Sequence, residues 1–262
     1  MLYGFHITTN SPLTELFKRP FYVVRFTFAN VNTMHNAKQE VCMIELLKKL
    51  KEKIQQQKGY YNFRIPSHIV DLVKGYNEVF KEGYFCGGTV EEVISGKIVE
   101  NKLKDGLRVF FADLDYINKH KKTLLDMTFQ SFQSYQGQYH ISPVTEEKAG
   151  EIYENWIHYS LEHCDGQDVV IAEYDNRPIG FVTILEKENA VEGVLSAVES
   201  EYRKFGAYRA MISYIVNYAQ KKGKSFITST QFDNFIVQGV WNSIGLKPFY
   251  SIYNFHIDKK GD

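Results

Sequence analysis

Near the C-terminus, the run Val198-Glu199-Ser200-Glu201-Tyr202-Arg203-Lys204-Phe205-Gly206-Ala207-Tyr208 ends a β-branched, apolar segment in a short basic turn. A long segment with helical apolar spacing follows at once. The chain must therefore join a strand to a helix through Arg-x-x-Gly. The first turn of a helix leaves its N–H groups without intrahelical partners, and the macrodipole adds partial positive charge there. A strand, an Arg-x-x-Gly turn and a helix N-terminus thus suit a pyrophosphate. Gly206 offers a backbone without Cβ, and Arg203 and Lys204 add full charge.

The remaining composition excludes several classes. The 262 residues carry 31 basic and 31 acidic side chains, so no global field draws the chain to nucleic acid or to an anionic membrane. With 37 Phe and Tyr residues and only six prolines, it reads as a folded chain. Cys42, Cys86 and Cys164 are scattered, match no metal-ligand spacing and form no disulfide framework, so we expect a reducing, cytoplasmic setting and no metal. Met1 to Asn10 shows no signal-peptide pattern, and no apolar stretch approaches the roughly 20 residues needed to cross a bilayer.

Periodicity divides the chain into a small N-terminal α/β domain (1–100) and a larger one (107–262). In the first, strands are expected at Phe21 to Phe28, Tyr60 to Ile65 and Tyr84 to Ile94. Helices are expected at Ala37 to Gln57 and His68 to Lys81, the second capped by Ser67. Gly96 to Gly106 is polar, with little to bury, and reads as a linker. In the second domain a strand at Leu107 to Ala112 leads into a helix begun by Asp113. Phe132 to Ile141 reads as a loop, and Ser142-Pro143 as a helix start. A hairpin follows, Val169 to Tyr174 and Ile179 to Leu185, turning at Asp175-Asn176-Arg177-Pro178. Then come a strand at Val191 to Val198, the basic turn, a helix ending at Gly223, a strand at Ser225 to Thr230, a helix from Asn234 to Ser243 and a strand at Phe249 to Ile257.

This order of elements over Leu107 to Ile257 resembles the GNAT family of N-acetyltransferases. Glu201-Tyr202-Arg203-Lys204-Phe205-Gly206-Ala207 is similar to the family's Arg-x-x-Gly-x-Gly/Ala motif, and Asn234 with Gly245-Leu246 to its second motif. Gln138-Tyr139-His140-Ile141-Ser142-Pro143, the segment Ile152 to Ile157 and Tyr253-Asn254-Phe255-His256 resemble segments of nucleotide-amino-sugar acetyltransferases. The resemblance implies an α/β (α+β) fold: a central mixed, mostly antiparallel sheet flanked by helices, plus a smaller N-terminal α/β domain. It implies acetyl-CoA as cosubstrate, held by Leu195, Ala197, Val198, Arg203, Lys204, Phe205, Gly206, Ala207, Tyr208, Asn234 and Trp241. It also implies a small-molecule amine as acceptor, an amino-sugar nucleotide touched by Tyr139 and His140. No nucleic-acid or membrane partner is expected, and a homodimer is the expected assembly.

The chemistry the family performs is direct attack of a neutral amine on the thioester. It needs a polarised carbonyl and a stabilised leaving thiolate. Tyr208 stands where relatives place a small residue, which narrows the turn. Trp241 stands where relatives often place a tyrosine acid, and an indole N–H is a donor but not a practical acid. Tyr250 and Tyr253 are candidates to replace it. Glu192, Glu199 and Glu201 are unranked candidate bases. His256 reads as structural, and the Cys164–His163 pair as unimportant. Two rival readings stay open: transfer to another small amine or a protein N-terminus, and a non-catalytic CoA-binding module.

Overall fold

A computed structural model describes residues 3–28, 37–101, 103–133, 135, 137–163 and 168–260. The chain forms two compact units. The first holds 1–89, 136–148 and 250–262; the second holds 90–135 and 149–249. These units cross the 1–100 and 107–262 boundaries expected from sequence. The C-terminal strand and an internal segment group with the N-terminal residues, because long-range strand pairing decides the matter and local pattern cannot foresee it.

In the first unit, β1 (Tyr3–Thr9) pairs antiparallel with β2 (Phe21–Phe28), from Tyr3↔Phe28 to Thr9↔Tyr22. Between them lies α1 (Ser11–Phe17), capped by the Asn10 side chain, which accepts from Leu13 N. The periodicity of the sequence did not expose β1 or α1. After α2 (Ala37–Gln55), β3 (Gly59–Pro66) lies parallel to β2 over Phe21↔Tyr60 to Arg25↔Arg64. Next come α3 (Val70–Val79) and the start of β4 (Tyr84–Ile94). Ser67 does not cap α3: its hydroxyl meets Ser251 Oγ at 2.5 Å and its N–H donates to Ser251 O, so Ile69 opens the helix without a side-chain cap. The core of this unit sets Met43, Leu47, Leu50 and Ile54 of α2 against Phe63, Tyr76 and Phe255. The spacing that marked α2 as a helix in the sequence is the spacing that turns these side chains to one face.

In the second unit, the strands β5 (Leu107–Phe111), β6 (Val169–Tyr174), β7 (Arg177–Glu186) and β8 (Ala190–Val198) pair antiparallel in that order. β9 (Ser225–Gln231) joins β8 in parallel. The hairpin of β6 and β7 turns at Asp175 and Asn176, both with positive φ (51° and 60°), residues that tolerate the left-handed region. α4 (Leu114–Phe132) begins as expected at Asp113, whose carboxylate accepts from Tyr116 N. α5 (Gln138–Ile141) is a four-residue helix in the first unit, where a loop was expected. α6 (Ala149–Glu162) starts seven residues past Ser142, because the Ser142 hydroxyl accepts from Val144 N in a local turn.

The segment expected as a linker is anchored. Val99 is 6 % exposed, its N–H donates to Asn217 Oδ1 (2.7 Å), and Asn217 Nδ2 donates back to its carbonyl (2.8 Å). Asn217 belongs to α7 (Ala207–Lys221), whose Ala207, Ala210, Met211, Ile215 and Ala219 lie buried in the core of this unit. Its alanines keep the helix close to the sheet, and truncating Ile215 to alanine would cost about 2–5 kcal/mol. α8 (Phe235–Ile244) and β10 (Lys247–Lys259) complete the chain. The result is a mixed sheet flanked by helices, the expected fold class.

Candidate active site

The backbone of β8 has two regimes. Its parallel register with β9 runs from Ala190↔Ser225 to Gly193↔Thr228 and ends there, while its antiparallel register with β7 continues to Val198↔Gly180. At the fork the Thr228 hydroxyl donates to Gly193 O (3.2 Å), and a Cβ on Gly193 would sit 3.2 Å from both Phe226 and Thr228. On the β7 side the pairing slips by one residue, between Thr183↔Leu195 and Ile184↔Gly193. The Thr183 hydroxyl accepts from Leu195 N (3.1 Å) across that slip. Leu195 to Val198 thus forms a strand edge past the end of its ladder with β9. Such an edge pairs readily with an extended, amide-bearing chain.

The turn after β8 is a 3-10 helix, Ser200–Phe205, closed by Gly206 at φ 85°. That left-handed angle is what requires glycine, since a Cβ there would meet nothing within 4 Å. Gly206 is also the residue from which α7 starts, and no side chain caps that start. Ala210 N donates to Gly206 O, so the N–H groups of Ala207, Tyr208 and Arg209 are the helix-start donors that precede the first turn's bond. Arg203 and Lys204 are exposed beside them. Phe205 and Tyr202 pack inward, each against Tyr174, and hold the turn in place.

Tyr208 does not fill the turn. Its hydroxyl accepts from Trp241 Nε1 at 3.0 Å and lies within reach of the Ser196 hydroxyl on β8. Burial pushes this phenol up to about 12, against the opposing effect of those two hydrogen bonds. Trp241 is 1 % exposed and belongs to the core of this unit. Asn234 caps α8: its Oδ1 accepts from Val237 N and its Nδ2 donates to Thr230 Oγ1 (3.0 Å). The Tyr135 hydroxyl hydrogen-bonds with both Thr230 and Asn234. Leu195, Ser196, Tyr208, Asn234 and Trp241 therefore all belong to the unit that contains the fork and the turn.

One residue of this unit escaped the sequence reading. Glu92 is fully buried, and among the described residues neither carboxylate oxygen has a hydrogen-bond partner. Desolvation holds its pKa above the ordinary carboxylate value, and its charge is near enough to Tyr208 to raise that phenol further. The sequence signal was faint: a glutamate inside an apolar strand, among other glutamates.

The candidate bases expected from sequence are differently placed. Glu199 is bound by Arg177 at 2.7 Å and Glu192 pairs with Lys187, while Glu201 is exposed. Tyr250 and Tyr253 lie in the other unit, with rings against His68 and Phe85. So do Tyr139 and His140. Tyr139 is 5 % exposed, its ring centroid is 5.9 Å from that of His256, and its phenol is also pushed up to about 12 by burial. His140 is partly buried in α5. Cys86 is a buried free thiol, raised to about 11 by desolvation, and Cys164 lies outside the described residues. Among the described residues no group of His, Cys, Asp and Glu could hold a metal ion, and no helix is long and apolar enough to cross a membrane.

Residues 127–246 match the model of the acetyltransferase (GNAT) family. No curated protein sequence matches the chain significantly. Among solved structures, it is similar to a GCN5-related N-acetyltransferase from Sphaerobacter thermophilus: 7 % identity, TM-score 0.64, 99 % of this chain and 77 % of the other covered. A GCN5-related N-acetyltransferase from Kribbella flavida aligns at 9 % identity and TM-score 0.56, over 92 % of this chain and 82 % of its own. A tandem GNAT protein from the clavulanic acid biosynthesis pathway aligns at 8 % identity and TM-score 0.54, over 93 % and 77 %. At these identities the structures speak for the fold, and the family match speaks for the region that holds the fork, the turn and α8. The matched family uses acetyl-CoA; residues 127–246 are similar to it, and the chain has a GNAT-like fold, a mixed sheet flanked by helices.

Proposed function

We propose that this chain transfers the acetyl group of acetyl-CoA to the amine of an amino sugar, one carried on a nucleotide. The observation that supports it most is the fork in β8. Leu195 to Val198 offers strand-type backbone groups to an extended amide chain, and the open N-terminus of α7 with Arg203 and Lys204 follows within one turn. A pantetheine arm with its pyrophosphate fits that sequence of donors and acceptors. The nucleotide-amino-sugar acceptor is drawn from the resemblance of the Gln138 to Pro143 and Tyr253 to His256 segments.

Acetyl-CoA supplies the activated acyl carbon. The protein's groups divide the remaining work. Glu92, buried and without a partner, attracts the acceptor's ammonium and takes its excess proton, leaving a neutral nitrogen. As the new C–N bond forms, the C–S bond breaks and its electron pair leaves on sulfur; the attacking nitrogen then gives up its second proton to that thiolate, directly or through solvent, which leaves the neutral amide and the CoA thiol. Tyr208, with a phenol pushed up to about 12, keeps its proton at neutral pH and acts as a hydrogen-bond donor toward developing negative charge rather than as a proton source. Trp241 orients it by donating to its oxygen.

Two measurements test the proposal. Calorimetric titration with acetyl-CoA should show binding; no heat together with no thermal stabilisation rejects the cofactor site. Thiol release across a panel of amines should favour amino-sugar nucleotides. Faster turnover of polyamines, amino acids or peptide N-termini rejects the acceptor while leaving the cofactor site intact.

A further inference from the structure

The first unit contains a second concentration of polar side chains with unmet hydrogen-bonding capacity. On the β3–β10 ladder, Arg64 faces Asn254 and Asn62 faces His256. Residues two apart on a strand share a face, so these four side chains form one patch. They are deeply placed: Asn254 is 0 %, His256 2 % and Asn62 3 % exposed, and Arg64 is partly exposed. Among the described residues, six of their side-chain atoms have no hydrogen-bond partner: Asn62 Oδ1, Arg64 Nε, both amide atoms of Asn254 and both ring nitrogens of His256. Buried polar groups in folded proteins are nearly always paired, so such a cluster calls for an explanation.

Among the described residues, neighbouring elements do not supply the partners. Asn62 Nδ2 donates to Gln138 Oε1 at 3.2 Å, which uses one amide atom and leaves the other. The rings of Phe21 and Tyr139 stand 6.4 and 5.9 Å from the His256 ring and offer apolar faces. Asp258, next on the same face of β10, is bound by Arg19 at 2.7 Å. Burial holds the His256 imidazole at about 3, so it stays neutral at physiological pH with one donor and one acceptor nitrogen. The opposite face of the same strands, with Tyr61, Phe63, Phe255 and Ile257, is ordinary apolar core.

We propose that the Asn62–Arg64–Asn254–His256 patch is a binding site for a hydroxyl-rich small molecule about the size of one sugar ring. Three features select that class. The open atoms alternate donors and acceptors, and a hydroxyl does both. The fixed positive charge of Arg64, with Asp258 on this face already bound by Arg19, favours an oxygen-rich ligand edge. Strand spacing makes the patch roughly 7 Å along the strands and 5 Å across them, a footprint for a single ring with an aromatic wall beside it. Since the atoms are out of solvent reach, the ligand enters by displacing Gln138 and Tyr139, which lie over the patch. The patch includes Asn254 and His256 and lies against Gln138 and Tyr139, the segments that suggest the amino-sugar acceptor, so the proposal rests on that reading and deepens it; its test reads sugar binding and not turnover, so either can fail alone.

The experiment is thermal denaturation and calorimetry of the full chain with glucose, glucosamine and glucuronate as probes. At least one should raise the Tm of the wild type. Asn254→Leu and His256→Phe replace unpaired polar groups by apolar ones of similar shape. Each should keep or raise the unliganded Tm, by about 2–4 °C, and abolish the probe's shift. Arg64→Met, at a partly exposed position, should leave Tm unchanged and weaken probe binding at least about fivefold, a loss of one charge-assisted hydrogen bond. If the Asn254 and His256 variants lose Tm, their polar atoms are satisfied in the native protein by ordered water and the proposal is overturned. Failure of all three probes to bind the wild type overturns it as well.

Discussion

Each unit contains a strand, a connection, a helix and a second strand parallel to the first. In the first unit these are β2, α2 and β3, with five residue pairs in parallel register. In the second they are β8, α7 and β9, with four. The backbone plan is alike and the chemistry is not. Between β8 and α7 the chain reads Glu199-Ser200-Glu201-Tyr202-Arg203-Lys204-Phe205-Gly206; between β2 and α2 it reads Ala29-Asn30-Val31-Asn32-Thr33-Met34-His35-Asn36, with no glycine, arginine or lysine. The second connection can present a helix N-terminus flanked by cations to a diphosphate, and the first lacks the residues to do so. The unpaired polar groups divide in the same way. Among the described residues the second unit has a buried unpaired carboxylate, Glu92, and the Ser213 hydroxyl, whereas the first has an amide and imidazole patch with one guanidinium, and the Tyr76 hydroxyl.

The comparison breaks most visibly at Glu92. Glu92→Gln should lower kcat/KM about 100- to 10,000-fold, the range for a positioned base, with acetyl-CoA affinity and folding retained. Because burial raises the carboxyl's pKa, wild-type kcat/KM should fall as pH drops through a value above the ordinary glutamate range, and the variant should lose that limb. A variant with full activity removes Glu92 from the reaction.

Next in size is Tyr208→Phe. The ring stays, but Trp241 Nε1 loses its acceptor in a buried setting, at a cost of about 1–3 kcal/mol and a Tm lower by several degrees. Turnover should fall about 10- to 100-fold through loss of one preorganised donor. Unchanged turnover with lowered Tm would leave Tyr208 a purely structural partner of Trp241.

Gly206→Val addresses the two connections directly. A β-branched residue at φ 85° is strained by about 1–2 kcal/mol, and straightening the turn would misdirect the α7 N–H groups. Acetyl-CoA affinity should drop about tenfold, and wild-type titration should show one site per chain. A second acetyl-CoA site that survives this substitution would show that the first connection also works.

The smallest effect concerns Glu186, far from the chemistry. Hydrogen bonds from Lys222, Lys224 and Tyr218 depress its carboxyl to about 2. A depressed acid stabilises the fold above its unfolded value and loses that contribution as pH falls from about 4.3 toward the folded value. Glu186→Gln should therefore shift Tm at pH 7 by no more than about 1 kcal/mol's worth, as for partly exposed ion pairs, and by nothing near pH 2.

Much of this was legible beforehand. The helices with clear three- and four-residue spacing, the Asp175-Asn176 hairpin and the capping of α4 by Asp113 and α8 by Asn234 are local events, and local chemistry announces them. β1 and α1 were missed because short elements with mixed polarity carry little periodicity. The supposed linker was misread because its anchors, Asn217 and Ala210, stand more than a hundred residues away. Glu92 was overlooked for a similar reason: a glutamate is marked as unusual only by burial, and burial is not written in its neighbours.

The amino-acid sequence by itself carried the Arg-x-x-Gly turn, most of the strands and helices and the charge balance, because these depend on residues adjacent or one turn apart. Only the tertiary structure decided what surrounds them. It ended the β8–β9 ladder at Gly193, turned Tyr208 onto Trp241, buried Glu92 without a partner and set Asn254 and His256 opposite Arg64 and Asn62. Each of these depends on which distant strand pairs with which, and in what register. A shift of one residue would send every one of those side chains to the opposite face.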